Sequence, residues 1–316
     1  MANRVLVVGG AGFIGSHLVE GLLQSGKEVW VFDNLATGSR HNLQAAASAV
    51  QFIEGDVRDH AALQQAMQGV ETVFHLAAQT TVAGSLENPH LTHAVNNTGI
   101  QNLLWSALKQ DVSQVVISSS CAVYGDSHQP PLKESYAVCP KSPYAASKVF
   151  AEALADSFYF SYGFPTVCLR YFNVYGERQA PDSAYAAVIP RFIDRYQQKS
   201  APVIYGDGQQ SRDFVHVSDV VKANLLAASL PETPLAHQRT FNIGSGVSVT
   251  LLELLERIAA TAGFELTPDF QAAREGDVRQ SMADTTLAAT VLGFSTTVSL
   301  QTGIAQLFSQ GLASKC

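Results

Sequence analysis

Tyr144 and Lys148, in the stretch Ser142-Pro143-Tyr144-Ala145-Ala146-Ser147-Lys148, are the pair whose types and spacing most directly suggest chemistry. A serine able to cap, a proline suited to the first helical position and two alanines predict a helix start. Such a helix carries Tyr144 and Lys148 one turn apart on one face. A free tyrosine has a pKa of about 10 and is a poor base at neutral pH, but an ammonium held beside the phenol favours the phenolate. The same spacing also suits a surface aromatic next to a solvated lysine, so the surrounding elements must decide. A second set of hydroxyls, Ser118-Ser119-Ser120, closes the apolar run Gln114-Val115-Val116-Ile117.

The elements that would position these groups begin at Arg4-Val5-Leu6-Val7-Val8, which reads as a strand buried on both faces. Gly9-Gly10-Ala11-Gly12-Phe13-Ile14-Gly15 follows and leads into the helical spacing of Ser16 to Leu23. Only hydrogen side chains let a backbone turn so tightly and bring a pyrophosphate against a helix N-terminus. The next strand, Glu28 to Phe32, delivers Asp33 to its carboxyl end, where an acid can bind the adenosine ribose hydroxyls. A carboxylate there repels a 2′-phosphate and favours NAD over NADP, although Arg40 lies near in sequence. Asp56 ends a third strand over 50–57 and could meet the adenine amino group. Strands over 72–78 and 114–120, with helical stretches at 60–69 and 90–110 between them, complete the alternation.

Regular strand–helix succession predicts a doubly wound parallel α/β sheet with ligands at the carboxyl ends of the strands. Serines 118–120 then stand at a ligand-facing strand end. A sixth strand is expected over 166–173, after the Tyr144 helix. Beyond it come a helix opening at Val188, a strand meeting a turn over Pro202 to Gly208 and an amphipathic helix over 251–262. The expected division is a dinucleotide-binding domain, 1–175, and a smaller mixed α/β domain, 176–316, with 213–245 packing back onto the first.

Composition narrows the function further. The chain of 316 residues is 47% hydrophobic, has a net charge of -7 and scatters its basic residues, so nucleic acid is not an expected partner. Cys121, Cys139, Cys168 and Cys316 have neither C-x-x-C spacing nor an accompanying histidine pattern, so neither a metal site nor a disulfide framework is expected. No apolar run approaches membrane-spanning length, and Arg4 leads straight into a strand. The expectation is a cytoplasmic protein with free thiols.

With these motifs assembled, the chain resembles the extended short-chain dehydrogenase/reductase family, in particular its nucleotide-sugar 4-epimerases acting on UDP-N-acetylglucosamine and UDP-glucose. The resemblance rests on Gly9/Gly12/Gly15, Asp33, Asp56-Val57, Ser118-Ser119-Ser120, Tyr144-x-x-x-Lys148, Tyr171-Phe172-Asn173, Arg212-Asp213-Phe214 and Arg274-Glu275-Gly276-Asp277. It implies that Tyr144 removes the sugar 4-hydroxyl proton while hydride leaves C4 for NAD. Lys148 would lower the phenol's pKa and bind the nicotinamide ribose, and Ser120 would hold the same 4-oxygen. Phe13, Ile14, Asn34, Leu76, Ala77, Ala78, Asn96, Ser118 and Tyr171 would join the glycines, Asp33, Asp56 and Val57 around NAD. On the nucleotide-sugar side, Arg212 and Arg274 would hold the diphosphate and Asp277 the uridine ribose. Asn173, Val188, Val203 and Tyr205 would complete that half. The resemblance also implies a homodimer formed by the helices near 90–110 and 145–162.

Two positions discriminate within the family. Ser120 is followed by Cys121-Ala122, without the acidic pair that related dehydratases carry, so net dehydration is disfavoured. Ser281 aligns with a pocket residue that is a large tyrosine in epimerases restricted to glucose and galactose, so a 2-acetamido group should fit. The expected reaction is reversible C4 epimerisation of UDP-GlcNAc and UDP-GalNAc, alongside the plain hexoses. The alternatives are a UDP-glucuronate 4-epimerase, a 4-keto reductase or dehydratase of the same family, and a dinucleotide-sensing binding protein on the same fold.

Overall fold

Residues 3–179, 188–231, 238–273 and 278–313 are described by a computed structural model. Its first half runs β1 (Arg4–Val8), α1 (Phe13–Gln24), β2 (Glu28–Asp33), β3 (Val50–Glu54), α2 (His60–Ala66), β4 (Thr72–His75) and α3 (Val82–Glu87). There follow α4 (Pro89–Thr92), a π-helical turn at His93–Thr98, α5 (Gly99–Lys109), β5 (Gln114–Ser120), a 3-10 turn at Cys121–Tyr124, α6 (Pro143–Tyr162) and β6 (Thr166–Tyr171). Then come β7 (Asn173–Tyr175), α7 (Val188–Gln197), β8 (Val203–Tyr205), β9 (Ser211–His216), α8 (Val217–Ala228) and β10 (Thr240–Ile243). The chain closes with β11 (Ser248–Thr250), α9 (Leu251–Ala262), β12 (Asp269–Gln271) and α10 (Leu300–Ala313).

Seven strands form one parallel sheet in the order β10-β6-β5-β4-β1-β2-β3. The order reverses between β1 and β4, and such a switch point leaves a crevice at the strands' carboxyl ends. Period-2 alternation fills both faces. Val5 and Val7 of β1 join Leu18 of α1 and Val220 of α8, while Leu6 and Val8 join Leu63 of α2 and Leu103 of α5.

The predicted sixth strand over 166–173 is two strands. β6 stops at Tyr171, and Asn173 opens β7, which pairs in parallel with β9 in a separate three-stranded sheet. Of residues 213–245, α8 packs on α1 and β10 joins the main sheet, but β9 lies between β7 and β11. A third core gathers Phe192 of α7, Ile204 of β8, Phe214 of β9, Leu254 and Ile258 of α9, and Ile304 of α10. Among the described residues no helix is long and apolar enough to cross a membrane.

Candidate active site

The glycine turn is shaped by contact distances. Gly9 has φ of 86°, and a Cβ on it would lie 2.5 Å from the Ala77 nitrogen in the loop after β4. A Cβ on Gly15 would lie 2.1 Å from the Gly9 carbonyl oxygen. The turn is therefore pressed against β4 at the switch point, and the first N–H groups of α1, at Phe13 and Ile14, open where no preceding helical carbonyl exists. Leu76 and Ala77 both donate their N–H to the Val8 carbonyl, and Ala78 continues that loop. This cradle, which side chains would fill, fits a pyrophosphate.

Asp33 is buried, and its carboxylate accepts from Ala11 N at 2.9 Å and Leu35 N at 2.8 Å. A carboxylate has about four acceptor positions, so two remain for vicinal hydroxyls. Arg40 lies 4.0 Å over the Phe52 ring and pairs with Glu54 at 3.1 Å. Glu54 thus balances the Arg40 charge at this exposed strand edge. Asp56 receives both Arg58 nitrogens, at 2.8 and 2.7 Å, and Asn34 at 2.8 Å. These donors hold its carboxyl well below the usual range. Val57 is buried against Gly99.

Two residues expected beside NAD have other partners. The Asn96 carboxamide accepts from Gln79 N at 2.7 Å and donates to Gln79 O and Ser147 Oγ at 3.1 and 2.9 Å. Its direct donors and acceptor are engaged in tying the loop after β4 to α6. The Tyr171 phenol bonds Asn224 of α8 and belongs to the core on that face. Alternation along β6 turns this side chain into the core.

The helix that carries Tyr144 and Lys148 begins as its sequence predicts. Ser142 Oγ accepts from Ala145 N at 3.1 Å, and Pro143 occupies the first turn. Burial pushes the Tyr144 phenol up to about 12, against the lowering influence of the Ser120 side chain. Lys148 is buried, donates to the Ser118 carbonyl at 2.8 Å and lies 5.8 Å from the Tyr144 ring centre. Its Nζ also reaches Ser118 Oγ at 3.5 Å. Burial lowers the ammonium to about 8, against the raising influence of Cys168 and Glu152. In this state the lowering influence on the phenol is Ser120 rather than Lys148.

Sequence reasoning missed what lies beneath. His75, at the end of β4, is buried, and its Nδ1 has no partner. Desolvation, helped by the Lys148 charge, lowers it to about 3, so it is neutral. Behind β5, Glu152 of α6 receives Ser119 Oγ at 2.5 Å and Arg170 of β6 at 2.8 and 2.7 Å. Arg170 also donates to the Tyr124 hydroxyl at 2.8 Å, which bonds Asn242 of β10 at 2.7 Å.

The other half of the site is a cavity of about 220 Å³ between β7, α7, β8 and β9. Five predicted residues line it together: Asn173, Val188, Val203, Tyr205 and Arg212. Arg191, Gln210 and Phe214 line it too and were not anticipated. Ser281 is buried, with its Oγ 3.4 Å from Asn173 Nδ2. Asp213 is fully buried and accepts from Ser245 N, Gly246 N and Ala283 N at 2.7, 3.0 and 3.0 Å. It thus fixes the strand passing Ser281. Arg274 and Asp277 lie outside the described residues. Cys121 joins the two halves, because its thiol feels Arg212 and Asp213 on one side and the Ser120 side chain on the other. Among the described residues no cluster of His, Cys, Asp and Glu could hold a metal.

A parallel doubly wound sheet, a glycine cradle and a Ser–Tyr–Lys set at the switch point define a dinucleotide-dependent enzyme of sugar-nucleotide type. The profile of the NAD dependent epimerase/dehydratase family matches residues 5–244, and the chain belongs to that family. NAD is its cofactor. A UDP-glucose 4-epimerase of Mycolicibacterium smegmatis is 37% identical over 308 residues, covering 96% of each chain. The structure of a UDP-N-acetylglucosamine 4-epimerase from Methanobrevibacter ruminantium, in complex with UDP-N-acetylmuramic acid, matches with a TM-score of 0.93 at 36% identity over 99% of both chains. A Thermus thermophilus UDP-glucose 4-epimerase in complex with NAD matches with a TM-score of 0.86 at 37% identity, over 97% of this chain and 98% of the other.

Proposed function

We propose that this enzyme interconverts the C4 epimers of UDP-hexoses, taking UDP-GlcNAc and UDP-GalNAc together with UDP-glucose and UDP-galactose. The observation that carries the reading is the junction at Cys121. One strand end presents Ser120 to Tyr144 and, one residue on, lies within electrostatic reach of Arg212. A sugar bridging these groups would have its 4-hydroxyl at the phenol and its diphosphate at the guanidinium. Arg274 and Asp277 belong to the same proposal as diphosphate and ribose ligands.

Bound NAD supplies the hydride acceptor and donor at C4. Tyr144, assisted by Ser120, would act once its phenol has lost its proton under the added positive charge of bound NAD, taking the 4-hydroxyl proton and returning it to the same oxygen after the 4-ketose has turned over. Lys148 orients the cofactor's ribose side and keeps a positive charge near the phenol. Cys121, whose thiol burial pushes up to about 12, offers no acid or base for removing water from the sugar. Dehydration is therefore not part of the proposal. Ser281, beside Asn173, is read as the position that admits the 2-acetamido group.

The lobes are read as 1–175 and 176–316, with α8 and β10 of the 213–245 stretch packed back onto the first and β9 in the sheet of the second. Self-association is read at α5 and α6, where Trp105, Phe150 and Tyr162 are exposed and Trp105 meets Tyr162 edge-on at 6.3 Å. Cytoplasmic residence rests on the free thiols at Cys121, Cys139 and Cys168. The deciding experiment is proton NMR of UDP-GlcNAc, UDP-glucose and UDP-glucuronate, each incubated with purified protein and no added NAD. Epimers from the first two support the reading. Turnover of UDP-glucuronate alone, or of none, overturns it.

A further inference from the structure

We propose that the buried Glu152–Arg170 pair is the positioning device of the catalytic helix, fixing α6 in register on β5 and β6 and placing a carboxylate one helical turn from Lys148. The role in catalysis rests on the epimerase reading; the placement and charge effect do not.

The need for a polar anchor follows from the helix face. Of the seven side chains buried by α6, four are small, Ala145, Ser147, Ala151 and Ala155, and Phe158 near its end is the one large apolar group. Small residues pack smoothly and resist axial sliding weakly. A slip of one residue moves a helix about 1.5 Å, enough to break a hydrogen bond but little apolar contact. Glu152 stands two turns beyond Tyr144 and one beyond Lys148, on the same side. Its carboxylate is bound by three directional donors from two strands, Ser119 Oγ, Arg170 Nε and Arg170 Nη2. Ser119 and Arg170 are register partners on β5 and β6, so one carboxylate locks the helix to both. Arg170 is in turn held by Tyr124, which ends the 3-10 turn starting after Ser120.

The electrostatic half rests on what surrounds Lys148. Ser118 faces it from β5, His75 from β4 and Cys168 from β6, with Tyr144 and Glu152 on its own helix. Asp156 lies further along α6 and acts on Cys168. His75 is neutral, and desolvation keeps the Cys168 thiol and the Tyr144 phenol protonated near neutral pH. Glu152, one helical turn from Lys148 and paired with Arg170 at 2.7 Å, is therefore the carboxylate that acts on Lys148, and Arg170 tempers it. Replacing a buried ion pair by neutral groups is often tolerated, whereas removing one partner strands the other's charge.

The test compares Glu152→Gln, the double variant Glu152→Gln/Arg170→Gln, and each in a Lys148→Met background, all saturated with NAD. The pH dependence of the melting temperature reads the Lys148 titration without any sugar substrate. In Glu152→Gln the inflection should move to lower pH by about one unit, because an opposite charge nearby is lost and Arg170 remains. The double variant should show a smaller downward move and recover part of the lost melting temperature. Both moves should vanish when Lys148 is Met. An unmoved inflection in Glu152→Gln, or a move that persists without Lys148, overturns the charge assignment. Turnover adds a separate readout: kcat should fall in Glu152→Gln with KM for the UDP-sugar changed less than about threefold. A rise in KM with kcat intact overturns the positioning role. Wild-type protein without turnover overturns the epimerase reading and leaves the melting result to decide the pair.

Discussion

Lys148→Met separates the chemistry of Lys148 from the cost of holding it. The ammonium is buried and lowered from 10.5 to about 8, so between those values the unfolded chain keeps a proton that the folded chain has lost. Stability then rises with pH across that window, because the unfolded state binds more protons. Integrating the two pKa values, the lysine lowers stability by about 3 kcal/mol at pH 7 and about 1.4 kcal/mol at pH 9.5. Raising the pH between these points should stabilise the wild type by about 2 kcal/mol relative to Lys148→Met. The variant also leaves the Ser118 carbonyl without its 2.8 Å donor, but that cost does not vary with pH. A chain of 316 residues has an unfolding entropy near 0.7 kcal/mol per degree, so the difference is about 3 °C in melting temperature. Scanning fluorimetry of both proteins, stripped of NAD, from pH 7 to 9.5 measures it. Parallel pH profiles would refute the argument, since they would mean that Lys148 titrates alike in the folded and unfolded chain.

Tyr144→Phe should lower kcat about 10²- to 10⁴-fold, the range for losing a positioned proton carrier, with KM for UDP-sugars nearly unchanged because Arg212 and its cavity stand on other elements. NMR progress curves that retain a tenth of the wild-type rate would exclude Tyr144 as the proton carrier. Ser281→Tyr should cut kcat/KM for UDP-GlcNAc about 10- to 100-fold, as overpacking by 1–3 kcal/mol predicts, while sparing UDP-galactose. Equal losses on the two sugars would remove the pocket argument. Gly15→Ala forces a Cβ to 2.1 Å from the Gly9 carbonyl, so the variant incubated with NAD and desalted should carry less nucleotide than the wild type, seen as a lower absorbance at 260 nm relative to 280 nm. An undiminished nucleotide content would show that the turn can relax.

The family, the sheet and much of the site are local in origin, and local patterns are legible in a sequence. Gly9, Gly12 and Gly15 followed by Asp33 are one strand–turn–helix–strand unit, and Tyr144 and Lys148 are one helical turn. The cap at Ser142 fixes where that turn begins. The cavity residues Asn173, Val188, Val203, Tyr205 and Arg212 came from the family resemblance, and their meeting around one space is a tertiary fact. Asp213 could be imagined as a surface partner for Arg212. Instead it is buried and ties three segments, because its donors lie 32, 33 and 70 residues away. Asn96 and Tyr171 gave no local sign that Ser147 and Asn224 would occupy them. Glu152 looked like any helix carboxylate. Only the packing of α6 across β5 and β6 brings Arg170 and Ser119 to it, and with them the charge facing Lys148. Sequence periodicity reports which face of an element is buried, and the partner that face meets is set by how distant elements close around one core.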